Sequence, residues 1–192
     1  MRIHFLGPSL LLALLFSLTL QAQPTLSTAG WSFHAGVGAV PTFVKGPRTV
    51  NVLPVSARLD FRLQPHWSLS LYAGYSATTS TRDLSHDGIY LPLRNDYFIG
   101  GLRSAFHKRI HARLEAYGGA MLAYNRPVIS QAGSDAPVVI PRGKPHYYRL
   151  PEPRFFLSGF VGGNYALTNH FGVFGELGFG VSLVQLGVRM QL

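Results

Sequence analysis

Three groupings of residues in this 192-residue chain have side chains that could do chemistry. His66-Trp67-Ser68 sets a base two positions from a hydroxyl, the start of a nucleophilic site, which would still need a third group to orient the base. Glu115 and Glu176 offer two carboxylates on segments far apart in sequence. Arg126, Arg142, Lys144, Arg149 and Arg154, with His146, Tyr147 and Tyr148 among them, collect positive charge opposed only by Asp135 and Glu152. Such a stretch suits an anionic ligand. Other chemistries lack their residues. There is no Cys, so thiol catalysis, disulfides and zinc-thiolate sites are excluded. The eight His are dispersed without metal-ligand spacing, and His107 and His111 flank a turn. Ser85-His86-Asp87 reads as a loop turn. No glycine cluster leads into a helix, so no phosphate loop is present. The expectation is no catalytic residue, no metal and no cofactor.

The elements that would position these residues are strands. The mature region shows no helical stripe of useful length, but period-2 alternation recurs. In Leu53–Leu63 the residues Leu53, Val55, Ala57, Leu59, Phe61 and Leu63 share one face, while Ser56, Arg58, Asp60 and Arg62 share the other. A helix would scatter those three charges around its circumference; a strand separates them completely. Similar alternation runs through Trp31–Ala39, Trp67–Tyr75, Phe98–Phe106, Ala112–Leu122, Phe155–Tyr165, Phe171–Phe179 and Val184–Leu192. That predicts an all-β fold of eight antiparallel strands, most near the roughly 9–11 residues that cross a bilayer when tilted. Tight turns are expected at Gln64–His66, Phe106–His111 and Thr168–His170. Long polar loops are expected near 41–51, 78–95 and 125–153, with a very short fourth connection around Gly180–Ser182. Short turns on one side and longer loops on the other is the arrangement of an up-and-down transmembrane β-barrel with its short turns in the periplasm.

The start of the chain reads as an export signal. Arg2 gives a positive start, Phe5–Leu20 is largely apolar, and Ala22 is a fitting last residue before cleavage. The division is therefore a signal peptide over 1–22 and a barrel domain over 23–192. Gly7-Pro8 interrupts the apolar stretch and leaves it short of the roughly 20 residues a spanning helix needs.

Composition favours lipid over water outside the barrel. Charged residues make up 13% of the chain, about half the soluble share of roughly 25%. The polar strand faces are rich in Gly and Ser, which suit a narrow lumen. Lys45, Lys108 and Lys144 all fall outside the strand cores, whereas a soluble lipocalin-like barrel would scatter Lys along its strands. The inward face then carries Arg58, Asp60, Arg62, Arg103, Arg113, Glu115, Glu176 and Arg189, a mixed-charge set able to pair and plug the lumen. A one-residue slip of the Leu53–Leu63 strand would put Arg58 and Arg62 into hydrocarbon at roughly 2–4 kcal/mol each, so the register is strongly set. Trp31, Trp67, Tyr75, Phe106, Tyr124, Phe171 and Phe179 fall near strand ends, where aromatic girdles belong. The net charge of +9 comes from 14 Arg and 3 Lys spread along the chain. Without a basic run or basic helix, this argues against nucleic acid as the partner.

Leu114-Glu-Ala-Tyr-Gly-Gly-Ala120, the turn Tyr165–His170, and Phe171-Gly-Val-Phe-Gly-Glu-Leu-Gly-Phe-Gly180 leading into Leu186–Met190 together carry a resemblance. Over about residues 30–192 the chain resembles the outer membrane protein β-barrel domain family, the small porin-like eight-stranded barrels of Gram-negative bacteria. The terminal residue is Leu192, where many such proteins end in an aromatic. The resemblance implies the outer membrane as location, and the barrel-insertion machinery, outer-membrane lipid and lipopolysaccharide as partners. It implies a fold and a place, not one activity. The first reading of function is a non-enzymatic barrel with a structural or surface-interaction role. A lipid A-modifying enzyme in the same fold is the alternative, and a soluble ligand-binding barrel a more distant one. His66 and Ser68, at a periplasmic turn, would lie far from an outer-leaflet substrate.

Overall fold

The structure is a computed structural model that describes residues 30–42, 49–83, 90–131 and 152–192. The expected signal peptide over 1–22 lies outside the described residues. Eight strands follow one another: β1 (Gly30–Gly38), β2 (Thr49–Gln64), β3 (Trp67–Asp83), β4 (Tyr90–Arg109), β5 (Leu114–Gln131), β6 (Arg154–Ala166), β7 (Phe171–Gly178) and β8 (Val184–Gln191). Each pairs antiparallel with the next, and β8 closes on β1 through pairs such as His34↔Arg189 and Ala35↔Val188. The fold is the expected closed eight-stranded up-and-down barrel. Closure removes sheet edges, so the wall satisfies its own backbone hydrogen bonds, a requirement for any β structure surrounded by lipid.

Both chain ends of the barrel lie at one rim, here the lower rim. It carries the tight turns at Pro65–His66 and Ile110–Arg113 and the turn after Ala166. In the last of these, Thr168 Oγ1 accepts hydrogen bonds from the backbone N–H groups of His170 (3.3 Å) and Phe171 (2.9 Å), a side chain standing in for a backbone turn.

Three expected boundaries differ from the structure. β3 and β4 remain paired up to Asp83↔Tyr90, and β5 runs to Gln131, so much of the expected loops at 78–95 and 125–153 is strand. These extensions pair Thr78, Thr79 and Ser80 with Asn95, Arg94 and Leu93. A ladder with polar residues on both faces is a strand without a hydrophobic period, so alternation could not reveal it. The expected turn at Phe106–His111 begins later, because β4 continues to Arg109. Ala112 and Arg113 belong to that turn rather than to β5. In β2 the ladder to β3 shifts register between Val50 and Val52 and again between Val52 and Val55. Pro54, which has no N–H to donate, sits within that irregularity, where a strand proline is tolerated.

The barrel is inside out relative to a soluble one. Leu157 is 75% exposed on the exterior and Arg103 only 3% exposed in the interior. Leu71, Leu102, Leu122, Leu186 and Val188 join the exterior belt; His34, Arg58, Asp60, Glu115 and Glu176 join the interior. This excludes the soluble-barrel reading, since a continuous apolar exterior of this kind has no place in water. Aromatic pairs cross strands at both margins of the belt: Trp31 with Phe61 (4.6 Å between ring centroids) below, Tyr75 with Phe98 (4.8 Å) and Tyr124 with Phe155 (4.9 Å) above. Trp67 and Tyr75 mark the two margins on β3. Their separation corresponds to about 26 Å along a strand, or about 20 Å of depth at barrel tilt, near the roughly 25 Å apolar band of such proteins.

A charged lumen beneath an apolar plug as the candidate functional site

The lower and middle lumen hold two linked polar clusters. In the first, Glu176 on β7 is the hub. Its Oε2 accepts from Arg58 Nη1 (2.8 Å), Arg103 Nη2 (2.8 Å) and Tyr117 Oη (3.0 Å), contributed by β2, β4 and β5. Arg58 also faces Asp60 (Nε to Oδ1, 2.8 Å) and donates to His34 Nδ1 at 2.9 Å. His34 Nε2 lies 3.0 Å from Asp60 Oδ2. In the second cluster Arg62 grips Glu115 with both ends of its fork (2.7 and 2.9 Å), the strong bidentate geometry. Asn164 Nδ2 donates to the same carboxylate at 3.3 Å. Alternation places all these side chains on the inner face, and the register between neighbouring strands brings them to the same height.

Ser68, His107 and Glu115 have the outline of a hydrolytic triad. Ser68 Oγ is 2.8 Å from His107 Nε2, and His107 Nδ1 is 3.3 Å from Glu115 Oε2. Arg62 decides against that reading. Its Nη2 donates to His107 Nδ1 at 2.8 Å, and a guanidinium can only donate. Nδ1 must therefore be the acceptor, which puts the ring proton on Nε2 and points it at Ser68. A base that already donates to the serine cannot remove its proton. The same logic fixes His34, whose Nδ1 accepts from Arg58 and whose Nε2–H faces Asp60. Both imidazoles are structural joints between an arginine and an acceptor.

Above the charges the lumen turns apolar. Tyr72, Tyr97, Ile99, Met121, Ala123 and Val181 are buried together, with Phe156 and Phe160 packed against them. Val181 comes from the β7–β8 connection, which folds into the barrel mouth. Tyr72 Oη accepts from the Val181 backbone N–H (3.1 Å) and from Gln185 Nε2 (3.0 Å). Ser182 Oγ bonds the backbone of Val40 as acceptor (3.1 Å) and donor (2.7 Å). The inward turn needs two glycines beneath it. A Cβ on Gly38 would fall 2.2 Å from that of Ser182, and one on Gly74 2.8 Å from that of Val181. Arg103 joins the two layers, its guanidinium 3.6 Å above the Phe160 ring, a desolvated cation–π contact.

Of the inward charges expected from sequence, Arg58, Asp60, Arg62, Arg103, Glu115 and Glu176 meet in these clusters. Arg189 lies in the lower lumen with a hydrogen bond to Gln191 Oε1. Arg113 sits half-buried in the β4–β5 turn, outside the strand register that orients the others. His66 is in the exposed β2–β3 turn, near the His107 carbonyl (3.3 Å); the imidazole that reaches Ser68 is His107. His34, His107, Tyr117 and Asn164 were not singled out from sequence, although each stands at inward parity on its strand. Arg126 is exposed on the outer face of β5, beside Phe98 on β4 and above Tyr124. Arg154 is exposed at the start of β6. Arg142, Lys144 and Arg149 lie outside the described residues.

No protein-family model matches the chain, and no curated protein matches it in sequence. Solved structures do match in shape. The N-terminal β-barrel domain of Pseudomonas aeruginosa OprF aligns with 86% of this chain and 100% of that domain, at TM-score 0.51 and 15% identity. The outer membrane protein OprG from Pseudomonas aeruginosa aligns with 88% of this chain and 91% of its own, at TM-score 0.49 and 12% identity. Ail, the attachment invasion locus protein of Yersinia pestis, aligns with 84% and 93%, at TM-score 0.42 and 13% identity. At such identities the likeness is one of fold, and the chain has the fold of the small eight-stranded outer-membrane barrels.

Proposed function

We propose that this chain is a non-enzymatic barrel of a Gram-negative outer membrane, delivered by a cleaved signal over residues 1–22. In this reading it is closed to solutes and acts through its surface. The observation that carries it is the inversion of burial: leucines form the exposed belt, and the charges at the depth of that belt, such as Arg58, Arg103 and Glu176, are buried inside. The two lumen layers also support it. Paired guanidiniums and carboxylates fill the lower interior, and the Val181 turn with Tyr72, Ile99 and Met121 fills the upper one. The Arg62 guanidinium donating to His107 Nδ1 argues against the Ser68–His107–Glu115 arrangement as a catalytic one.

The surface role falls on lipopolysaccharide. Arg126 is exposed just above the upper aromatic margin, at the level of lipid headgroups, and has no ion pair among the described residues. It begins the basic stretch that continues through Arg142, Lys144, Arg149 and Arg154. In cells, the protein should fractionate with the outer membrane and migrate differently on gels before and after boiling, as folded barrels do. Lipid A mass spectra with and without the protein should be identical, and vesicles containing it should not swell in sugar solution. A changed lipid A spectrum or rapid swelling rejects the corresponding part of the reading. Neutralising the four arginines and Lys144 together should weaken lipopolysaccharide binding; unchanged binding removes the surface role.

A further inference from the structure

The charges in the lumen do not balance. Among the described residues, four buried or half-buried guanidiniums, Arg58, Arg62, Arg103 and Arg189, share the interior with three carboxylates, Asp60, Glu115 and Glu176. The ion pairs assign the carboxylates to Arg58, Arg62 and Arg103. Arg189 is left over. It is 8% exposed, and among the described residues its side-chain hydrogen bond is to the neutral amide of Gln191. Among the described residues, no other Asp or Glu stands in the lower half of a strand. A buried cation with no ion pair of its own is costly, so something should compensate it.

The space for that compensation exists. Arg189 borders a small polar cavity at the lower mouth, lined also by Ser32, Arg62, Ser68, His107 and Asn164. Asp60 reaches the same cavity, but its carboxylate is already engaged by Arg58 and His34. The free space holds about one water-sized body, too little for phosphate or a carboxylate ligand. We infer that the lower lumen is a binding site for a single halide ion, held by the Arg189 guanidinium and the hydroxyls of Ser32 and Ser68 around it. The ion would complete the lumen's charge and fix β8 against β1 and β2 at the point where the barrel closes.

The test uses the chain purified folded in detergent and needs no pore or activity. Its thermal unfolding midpoint should rise saturably with chloride by several degrees, and should not rise with gluconate at the same ionic strength, because only a specific ion stabilises by mass action. Arg189→Gln should abolish the chloride-dependent part of the shift. If that variant does not fold, crystals of the unaltered chain soaked in bromide should show an anomalous peak within hydrogen-bond reach of Arg189. Equal shifts in chloride and gluconate, a chloride shift that survives Arg189→Gln, or no bromide at Arg189 would each overturn the site.

Discussion

The two halves of the lumen solve the same problem in opposite ways. Both fill a space too narrow to leave empty. The lower half uses ions that hold one another, such as Arg62 with Glu115 and the three donors on Glu176. The upper half uses Tyr72, Ile99, Met121 and an inward turn ending in Val181. An ionic filling has one permitted geometry, because each charge must meet its partner in low dielectric. An apolar filling tolerates exchange of shape at similar volume. The lower half therefore specifies the register of the barrel, and the upper half closes its mouth.

Removing one partner from the ionic half should cost most. Glu176→Gln leaves Arg58 and Arg103 buried without their shared carboxylate, a loss of about 3–5 kcal/mol. It should show as a lowered urea midpoint for unfolding from lipid vesicles, followed by tryptophan fluorescence. Met121→Ala opens a cavity in the apolar half, at about 2–4 kcal/mol in the same titration. Met121→Leu, which keeps the volume, should cost less than about 1.5 kcal/mol; the ionic half has no equally mild exchange. If Glu176→Gln proves milder than Met121→Ala, the contrast between the halves fails. A comparably small effect belongs to the hydroxyl that holds the inward turn. Tyr72→Phe keeps the ring and loses the oxygen that receives Val181 N–H and Gln185, for about 1–2 kcal/mol. Its distinctive sign should be faster amide hydrogen exchange at Val181, with little change at Glu176.

The same contrast explains what the sequence made legible. Arg58, Asp60 and Arg62 interrupt an apolar alternation, and an ion on a strand between leucines announces which face is inward. Ile99 and Met121 also face inward, but an apolar residue looks alike on either face, so the plug left no signal. Val181 was hidden further, because a short Gly-Val-Ser connection reads as a surface turn; only the fold shows it entering the mouth. The strand extension above Tyr75 carries polar residues on both faces, and the one above Tyr124 runs through Pro127, Val128 and Ile129 without a period of two, so alternation reveals neither. Among site residues, charge was readable and partnership was not. In sequence Ser68 stands two residues from His66. Its actual partner, His107, arrives from β4, two residues beyond Ala105, the residue paired with Ser68.

Everything above depends on which face of each strand meets hydrocarbon, and the absence of native cysteine makes that directly measurable. Single cysteines at Leu71, Leu102 and Leu157, spin-labelled in lipid vesicles, should collide readily with oxygen dissolved in the bilayer and rarely with a water-soluble nickel complex. A label at Ser70, one residue from Leu71, should be shielded from oxygen. High nickel accessibility at the three leucine positions, or oxygen exposure greater at Ser70 than at Leu71, would contradict the account.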